Sequence, residues 1–272
     1  MERYVRFKYG NNTRFGLVEG EKVAELIGEE FPNFKKPGIT HELSLLKLLA
    51  PCNPTKAVCV GLNYKDTILE PGAKWPVEPL LFLKPFTSLI ANGENIVKWP
   101  MTDHLNFEAE LAIVIGKEAH FVPEKEVYQY IWGYTIANDV TAKDLQKSDG
   151  LWGRSKSFDT CLPLGPWIVS GIDPQNLTIT SYLNGEQKQE GNTCDLIFGI
   201  EYLVSFISHI TTLLPGDIIL TGTPGGYGKT LNVGDKVEIE ISEIGKLTNQ
   251  CVECKEGWSM PPRNKEHIMY SL

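Results

Sequence analysis

The chain has 272 residues, 42% of them hydrophobic and 22% charged, with a formal net charge of −8. This length suits one large domain, or a large domain with a small one attached, and the composition is that of a globular protein with a full core. The acidic balance argues against nucleic acid or an anionic membrane surface as the main partner, because both demand a basic face.

The first residues, Met1-Glu-Arg-Tyr-Val-Arg-Phe7, lack the apolar core of a signal peptide, and no apolar run approaches the length of a membrane span. A cytoplasmic protein is expected, with its six cysteines reduced. Cys251-Val-Glu-Cys254 has the spacing of a zinc half-site, but no second C-x-x-C or histidine pair accompanies it, so no zinc is expected there.

Residues 1 to about 52 read as a small β-rich unit. Tyr4 to Tyr9 alternates, Asn11-Asn12 signals a turn, and Arg14 to Val18 returns as the hairpin partner. Lys22 to Leu26 is a further strand, and the leucines between Glu42 and Ala50 predict a short amphipathic helix ended by Pro51. Ala57 to Gly61 is a buried strand leading into a polar segment, Asn63 to Glu70, and a Gly/Pro-punctuated loop before the strand Leu80 to Lys84. Such a segment is a lid candidate or an inert surface loop.

Asn106-Phe-Glu-Ala-Glu-Leu-Ala-Ile-Val-Ile-Gly116 reads as a buried strand. Glu108 and Glu110 are two residues apart, so on a strand their carboxylates project side by side. Like charges held that close repel unless a cation lies between them. A second apolar run, Tyr134 to Asn138, ends in Asp139. Three hard oxygen donors suit Mg²⁺ or Mn²⁺. Taken alone, the Glu-x-Glu pair fits an exposed edge strand better.

Ala142 to Ser148 predicts a helical turn or two carrying Gln146, and Trp152 to Asp159 is a loop rich in donors that includes Lys156. Pro163-Leu-Gly165-Pro166 predicts a rigid turn. Asn184-Gly185 marks a hairpin, and Asp195 to Thr212 carries the apolar face of a helix, with His209 structural near its end. Pro215 to Gly228 is a strand opening into a glycine-rich loop. It is no P-loop: five residues before Gly228 stands Thr223, not glycine, and Val237 to Ile241 alternates as a strand where a helix is required. The loop can still offer N–H groups and the Thr223 hydroxyl to a carboxylate. Nor is there a G-x-S-x-G elbow for a serine hydrolase.

Glu108, Glu110, Asp139, Gln146, Lys156, Thr223 and the lid carboxylate Glu70 thus form a constellation. It suits a substrate with a carboxylate beside an oxygen that becomes negative during reaction, such as a 2-oxo acid passing through its enolate.

These residues lie in ordered blocks: Gly61-Leu-Asn-Tyr64, Phe82-Leu-Lys84-Pro, Glu108-Ala-Glu110 to Gly116, Gly133 to Asp139, Lys156-Ser-Phe-Asp159, Pro163 to Pro166, Asn184-Gly-Glu, Leu214 to Pro224 and Gly234-Asp235. In these blocks the chain resembles the fumarylacetoacetate hydrolase family from about Lys56 to Asn249. The resemblance implies a mainly β, mixed-sheet catalytic fold over residues 53–272, with residues 1–52 as an accessory domain, and a homodimer. It implies Mg²⁺ or Mn²⁺ on Glu108, Glu110 and Asp139, and a small 2-oxo acid contacted by Gln146, Lys156 and Thr223, with Lys84 and Tyr64 also at the substrate. One position departs from the pattern. Hydrolase and decarboxylase members read Asn-Tyr-x-x-His-x-x-Glu, and here Thr67 stands at the histidine while Glu70 keeps the glutamate. A hydroxyl cannot accept a proton near neutral pH, and general base catalysis is worth about 10²–10⁴-fold. C–C hydrolysis of an acylpyruvate-type acid is the family's commonest reaction and heads the expectation. Isomerisation, tautomerisation or decarboxylation, which need no activated water, are the alternatives, and a non-catalytic oxo-acid binder is a third.

Overall fold

The computed structural model describes residues 1–28, 34–68 and 75–255. The fold is mainly β, as expected, with mixed sheets and few short helices. Among the described residues, twelve strands join in one sheet whose middle runs Glu2–Tyr9, Leu162–Ser170, Ile131–Asn138, Ala109–Ile115, Ile218–Leu220, Ala57–Gly61 and Leu80–Lys84. Ile218–Leu220 and Ala57–Gly61 pair in parallel, and the other neighbours in that run are antiparallel. A five-stranded sheet, ordered Glu186–Asn192, Thr178–Leu183, Lys236–Ile241, Gly245–Glu253 and Asn95–Lys98, makes a second layer.

The Glu-x-Glu strand is central because both its faces are apolar. Leu111, Ile113 and Ile115 enter one core cluster, and Ala112 and Val114 enter another on the opposite face. A strand covered on both sides needs such a continuous run, where an exposed edge strand would alternate with polar residues. The helix Ile200–Ile210 buries Ile200, Leu203, Val204 and Ile207 in the first of these clusters, the spacing of one helical face. The hairpin at Asn184-Gly185 also forms, both residues taking positive φ (53° and 85°) as a tight two-residue turn requires.

Three expected elements differ. Glu42 to Ala50 is not a helix: Leu43–Leu45 is one 3₁₀ turn, and Lys47–Leu48 is a strand paired with Phe7 and Lys8. There Leu46 and Leu48 pack beside Val5 and Phe7, while Leu45 is 82% exposed, so tertiary pairing overrides local propensity. The helix expected from Asp195 begins at Ile200, because Asn63 holds the chain before it extended. Ile197 N–H donates to the Asn63 carbonyl and Phe198 N–H to the Asn63 side chain, both at 2.8 Å. Pro163 to Pro166 is not a turn but part of the nine-residue strand Leu162–Ser170. Its ladder with Ile131–Asn138 shifts register opposite Pro166, so the proline sits where no N–H is required.

The first N-terminal strand joins the large sheet, Glu2, Arg3 and Tyr4 pairing with Ser170, Val169 and Ile168. The six cysteines are free; Cys251 is buried on its strand, and Cys254, just past that strand's end, is partly exposed. Among the described residues no helix is long and apolar enough to cross a membrane.

Candidate metal centre and substrate cleft

The register of two antiparallel strands builds the acidic centre. Ala109 pairs with Asn138 and Glu110 with Ala137, so Glu108 and Asp139 lie opposite each other where the two strands begin and end. Asp139 N–H donates to the Glu108 carbonyl at 2.9 Å, and the Asn138 side-chain oxygen accepts from Glu108 N–H at 3.0 Å. Directly opposed residues project to the same face, as do i and i+2, and the three carboxylates therefore converge. Their oxygens lie within 4.8 Å of one another, and all three residues are buried.

Lysines balance part of this charge. Lys156, at the end of the short helix Gly153–Lys156, ion-pairs with Glu108 at 2.8 Å and with Asp139. Lys84 pairs with Asp139 at 2.7 Å from the far side, and Lys143 reaches Glu108 at 3.0 Å. Burial alone would push the Lys156 ammonium down, but Asp139 and Glu108 outweigh it and hold it above its ordinary value. Asp139 is likewise held below the usual carboxylate range, the two lysines overcoming its burial. Glu110 differs: burial, then Asp139 and Glu108, push it well above that range. Among the described residues no cationic side chain is within ion-pair distance of Glu110, which accepts Gly222 N–H at 2.7 Å. Gly222 has φ +99°, and a Cβ there would lie 3.0 Å from that of Asn63, so glycine is required for this close approach. Three converging buried oxygens, one of them short of positive charge, fit a hard divalent cation.

The centre opens into a cleft with a cavity volume of about 180 Å³. Gln146, Lys156, Thr223 and Thr67 line it together with the carboxylates. The Thr67 hydroxyl donates to the Tyr64 carbonyl at 2.6 Å, within the 3₁₀ turn Lys65–Thr67. Glu70 lies outside the described residues. Lys84 and Tyr64, expected at the substrate, are fully buried and do not line the cleft. Lys84 instead anchors Asp139 and the Val140 carbonyl, and the Tyr64 strand segment bridges to Leu196.

Sequence reasoning missed several lining residues, among them Lys143, Tyr227, Phe82 and Trp152. Lys143 was within reach, because it precedes Gln146 by one helical turn on Lys143–Asp149 and donates to its side chain at 3.1 Å. Phe82 and Trp152 meet edge to face at 5.2 Å, and the Lys156 ammonium lies 5.0 Å from the Phe82 ring. That apolar wall keeps Lys156 poorly hydrated and strengthens its field in the cleft.

The model of the fumarylacetoacetate (FAA) hydrolase C-terminal family matches residues 56–252, and an Rv2993c-like N-terminal model matches residues 2–51. The structure is similar to a 2-hydroxyhepta-2,4-diene-1,7-dioate isomerase from Mycobacterium marinum, with a TM-score of 0.87 and 39% identity over 93% of this chain and 99% of that one. A mitochondrial oxaloacetate tautomerase of Rattus norvegicus, Fahd2a, is 40% identical over 220 residues, 77% of this chain and 70% of its own. A maleylpyruvate hydrolase from Sphingobium sp. SYK-6, solved with manganese(II) and pyruvate, is 26% identical with a TM-score of 0.74 over 93% of this chain and 100% of that one. The fold, the buried carboxylate trio and these matches together place the chain in the fumarylacetoacetate hydrolase family of enzymes.

Proposed function

We propose that the protein is a divalent-metal-dependent enzyme that moves a proton on a small 2-oxo acid, as a keto–enol tautomerase or double-bond isomerase. Glu108, Glu110 and Asp139 would hold Mg²⁺ or Mn²⁺, which would supply positive charge to stabilise an enolate-type oxygen. Lys156 is ion-paired with Glu108 and Asp139, which hold its ammonium above its ordinary value. It presents a fixed charge to the oxygen that becomes negative. Gln146 and Thr223 orient the acid, and Phe82 and Trp152 exclude water from one side. Glu70 carries the proton. The observation that carries the choice of reaction is the Thr67 hydroxyl, committed at 2.6 Å to the Tyr64 carbonyl where a hydrolytic member would hold a basic imidazole. The isomerase and tautomerase relatives support the same choice.

C–C hydrolysis of an acylpyruvate is the second reading, supported by the similarity to the maleylpyruvate hydrolase. Oxaloacetate and acylpyruvates, each assayed with and without Mg²⁺ or Mn²⁺, separate the readings. Loss of enol absorbance with no new product supports tautomerisation. Pyruvate release supports cleavage or decarboxylation, with carbon dioxide or a second acid deciding which, and binding without turnover leaves a non-catalytic oxo-acid binder. Thr67→His is expected to raise pyruvate release from an acylpyruvate about tenfold or more, by restoring a base at that position. An unchanged rate, followed by coupled pyruvate detection, would show that residue 67 does not face the reacting water.

We also propose residues 1–52 as an accessory unit to a catalytic unit at 53–272; the separate family match over 2–51 supports this division. A homodimer is proposed as the working form. Leu80, Leu83 and Phe86, exposed along and just beyond the last strand of the large sheet, offer an apolar surface for a second copy. Light scattering on the eluted protein tests it, and a monomer at micromolar concentration would refute it.

A further inference from the structure

We propose that Gln189 sets the direction of the Thr223 hydroxyl, making it an obligatory hydrogen-bond donor into the cleft and so selecting an anionic oxygen of the ligand at that point. The inference rests on the reading of the cleft as a 2-oxo acid site and names a residue that shapes its recognition without touching the ligand.

Gln189 belongs to the strand Glu186–Asn192 of the second sheet, is 2% exposed, and does not line the cleft. Its amide meets four partners. Oε1 accepts from Ala109 N–H at 3.1 Å and from the Ser181 hydroxyl at 3.0 Å. Nε2 donates to Thr223 Oγ1 at 2.8 Å and to the Pro224 carbonyl at 3.1 Å. The two ends of a glutamine amide have the same shape, but two of these partners have fixed polarity. A backbone N–H can only donate and a carbonyl can only accept, so Ala109 and Pro224 together leave the amide one orientation. Its second N–H therefore points at Thr223 Oγ1. That oxygen is an acceptor toward Gln189, and its own hydrogen must be donated elsewhere. Thr223 lines the cleft, where a ligand oxygen can receive it. Every hydrogen-bonding position of the buried amide is used, so turning it over would break bonds at both ends.

The same amide ties the donor to the acidic centre. Ala109 lies between Glu108 and Glu110, and Gly222, next to Thr223, donates to Glu110. Gln189 thus fixes the separation between the carboxylates and the hydroxyl as well as the hydroxyl's polarity. The ligand class that matches is a carboxylate or enolate-type oxygen close to the cation, an acceptor to which the Thr223 hydroxyl can donate.

The test is calorimetric binding of pyruvate in saturating Mn²⁺ by the full chain, with thermal unfolding recorded for each variant. Gln189→Glu has no N–H to offer and takes the Thr223 proton for itself, so pyruvate binding is expected to weaken about tenfold or more. Thr223→Val should weaken it equally, and adding Gln189→Glu to Thr223→Val should cause no further loss. Gln189→Met, which frees the hydroxyl without capturing it, should lose less than Gln189→Glu, and it carries the same double-variant comparison should the glutamate form fail to fold. A merely structural role would leave the loss from either Gln189 variant intact in the Thr223→Val background, and that result overturns the inference. Wild-type affinity in both single Gln189 variants also overturns it. If the wild-type protein with Mn²⁺ does not bind pyruvate, the reading of the cleft fails and this inference with it.

Discussion

Glu110→Gln is expected to lower Mn²⁺ or Mg²⁺ affinity and turnover on the order of 10²-fold or more, with the folded state intact. The amide keeps the size of the carboxylate and its oxygen can still accept Gly222 N–H, so the local structure has no reason to change. What is lost is charge at the one carboxylate of the trio with which, among the described residues, no lysine ion-pairs. In chelator the variant should unfold at the same temperature as the wild type or higher, since removing one of three crowded carboxylates relieves their repulsion. A divalent cation should then raise the wild-type unfolding temperature and leave the variant's nearly unmoved. Titration calorimetry and thermal unfolding check both halves. Wild-type metal affinity and activity in Glu110→Gln would remove Glu110 from the metal centre.

Lys84→Met is the second large effect, and it separates two roles for one residue. Lys84 is 1% exposed and pairs with Asp139, so its removal leaves a buried carboxylate with one cation in place of two. Breaking a buried pair from one side costs about 3–5 kcal/mol, and the remaining contact to Lys156 puts the expectation near the lower end. For a chain of this size that is a fall of roughly 10 °C in unfolding temperature. Asp139→Asn in the same chain should recover part of the stability, because no uncompensated charge then remains. A changed KM with an unchanged unfolding temperature would instead put Lys84 in contact with the substrate.

The candidate site was largely legible in the sequence because its chemistry sits on strands, where periodicity states which side chains share a face. Glu108 and Glu110 could be paired from their spacing alone. Gln146, Lys156 and Thr223 were reachable as polar residues beside buried strands and in a glycine-rich loop, and the cleft contains all three. Lys84 was expected at the substrate and pairs with Asp139, and the sequence could not tell the two apart for a physical reason. A lysine at the end of a strand, next to a proline, looks the same in one dimension whether its ammonium faces a ligand or a carboxylate from another strand. The leucines of Glu42 to Ala50 failed similarly, since a short apolar run has no strong preference until a partner strand such as Glu2–Tyr9 claims it.

The sequence by itself determined a mainly β protein with a carboxylate pair on a buried strand and a third carboxylate at the end of another; that Thr67 departs from a basic position is what the family resemblance added. Composition, the period of two along strands and the turn residues are local properties, so one chain suffices to read them. Only the tertiary structure decided that Asp139 stands opposite Glu108, that Lys84 faces Asp139 and not the cleft, and that the Gln189 amide donates to Thr223. Each of these depends on the register between strands or on contact between the two sheets. Residues 30 to 80 positions apart meet there through hydrogen bonds whose partners no local pattern specifies.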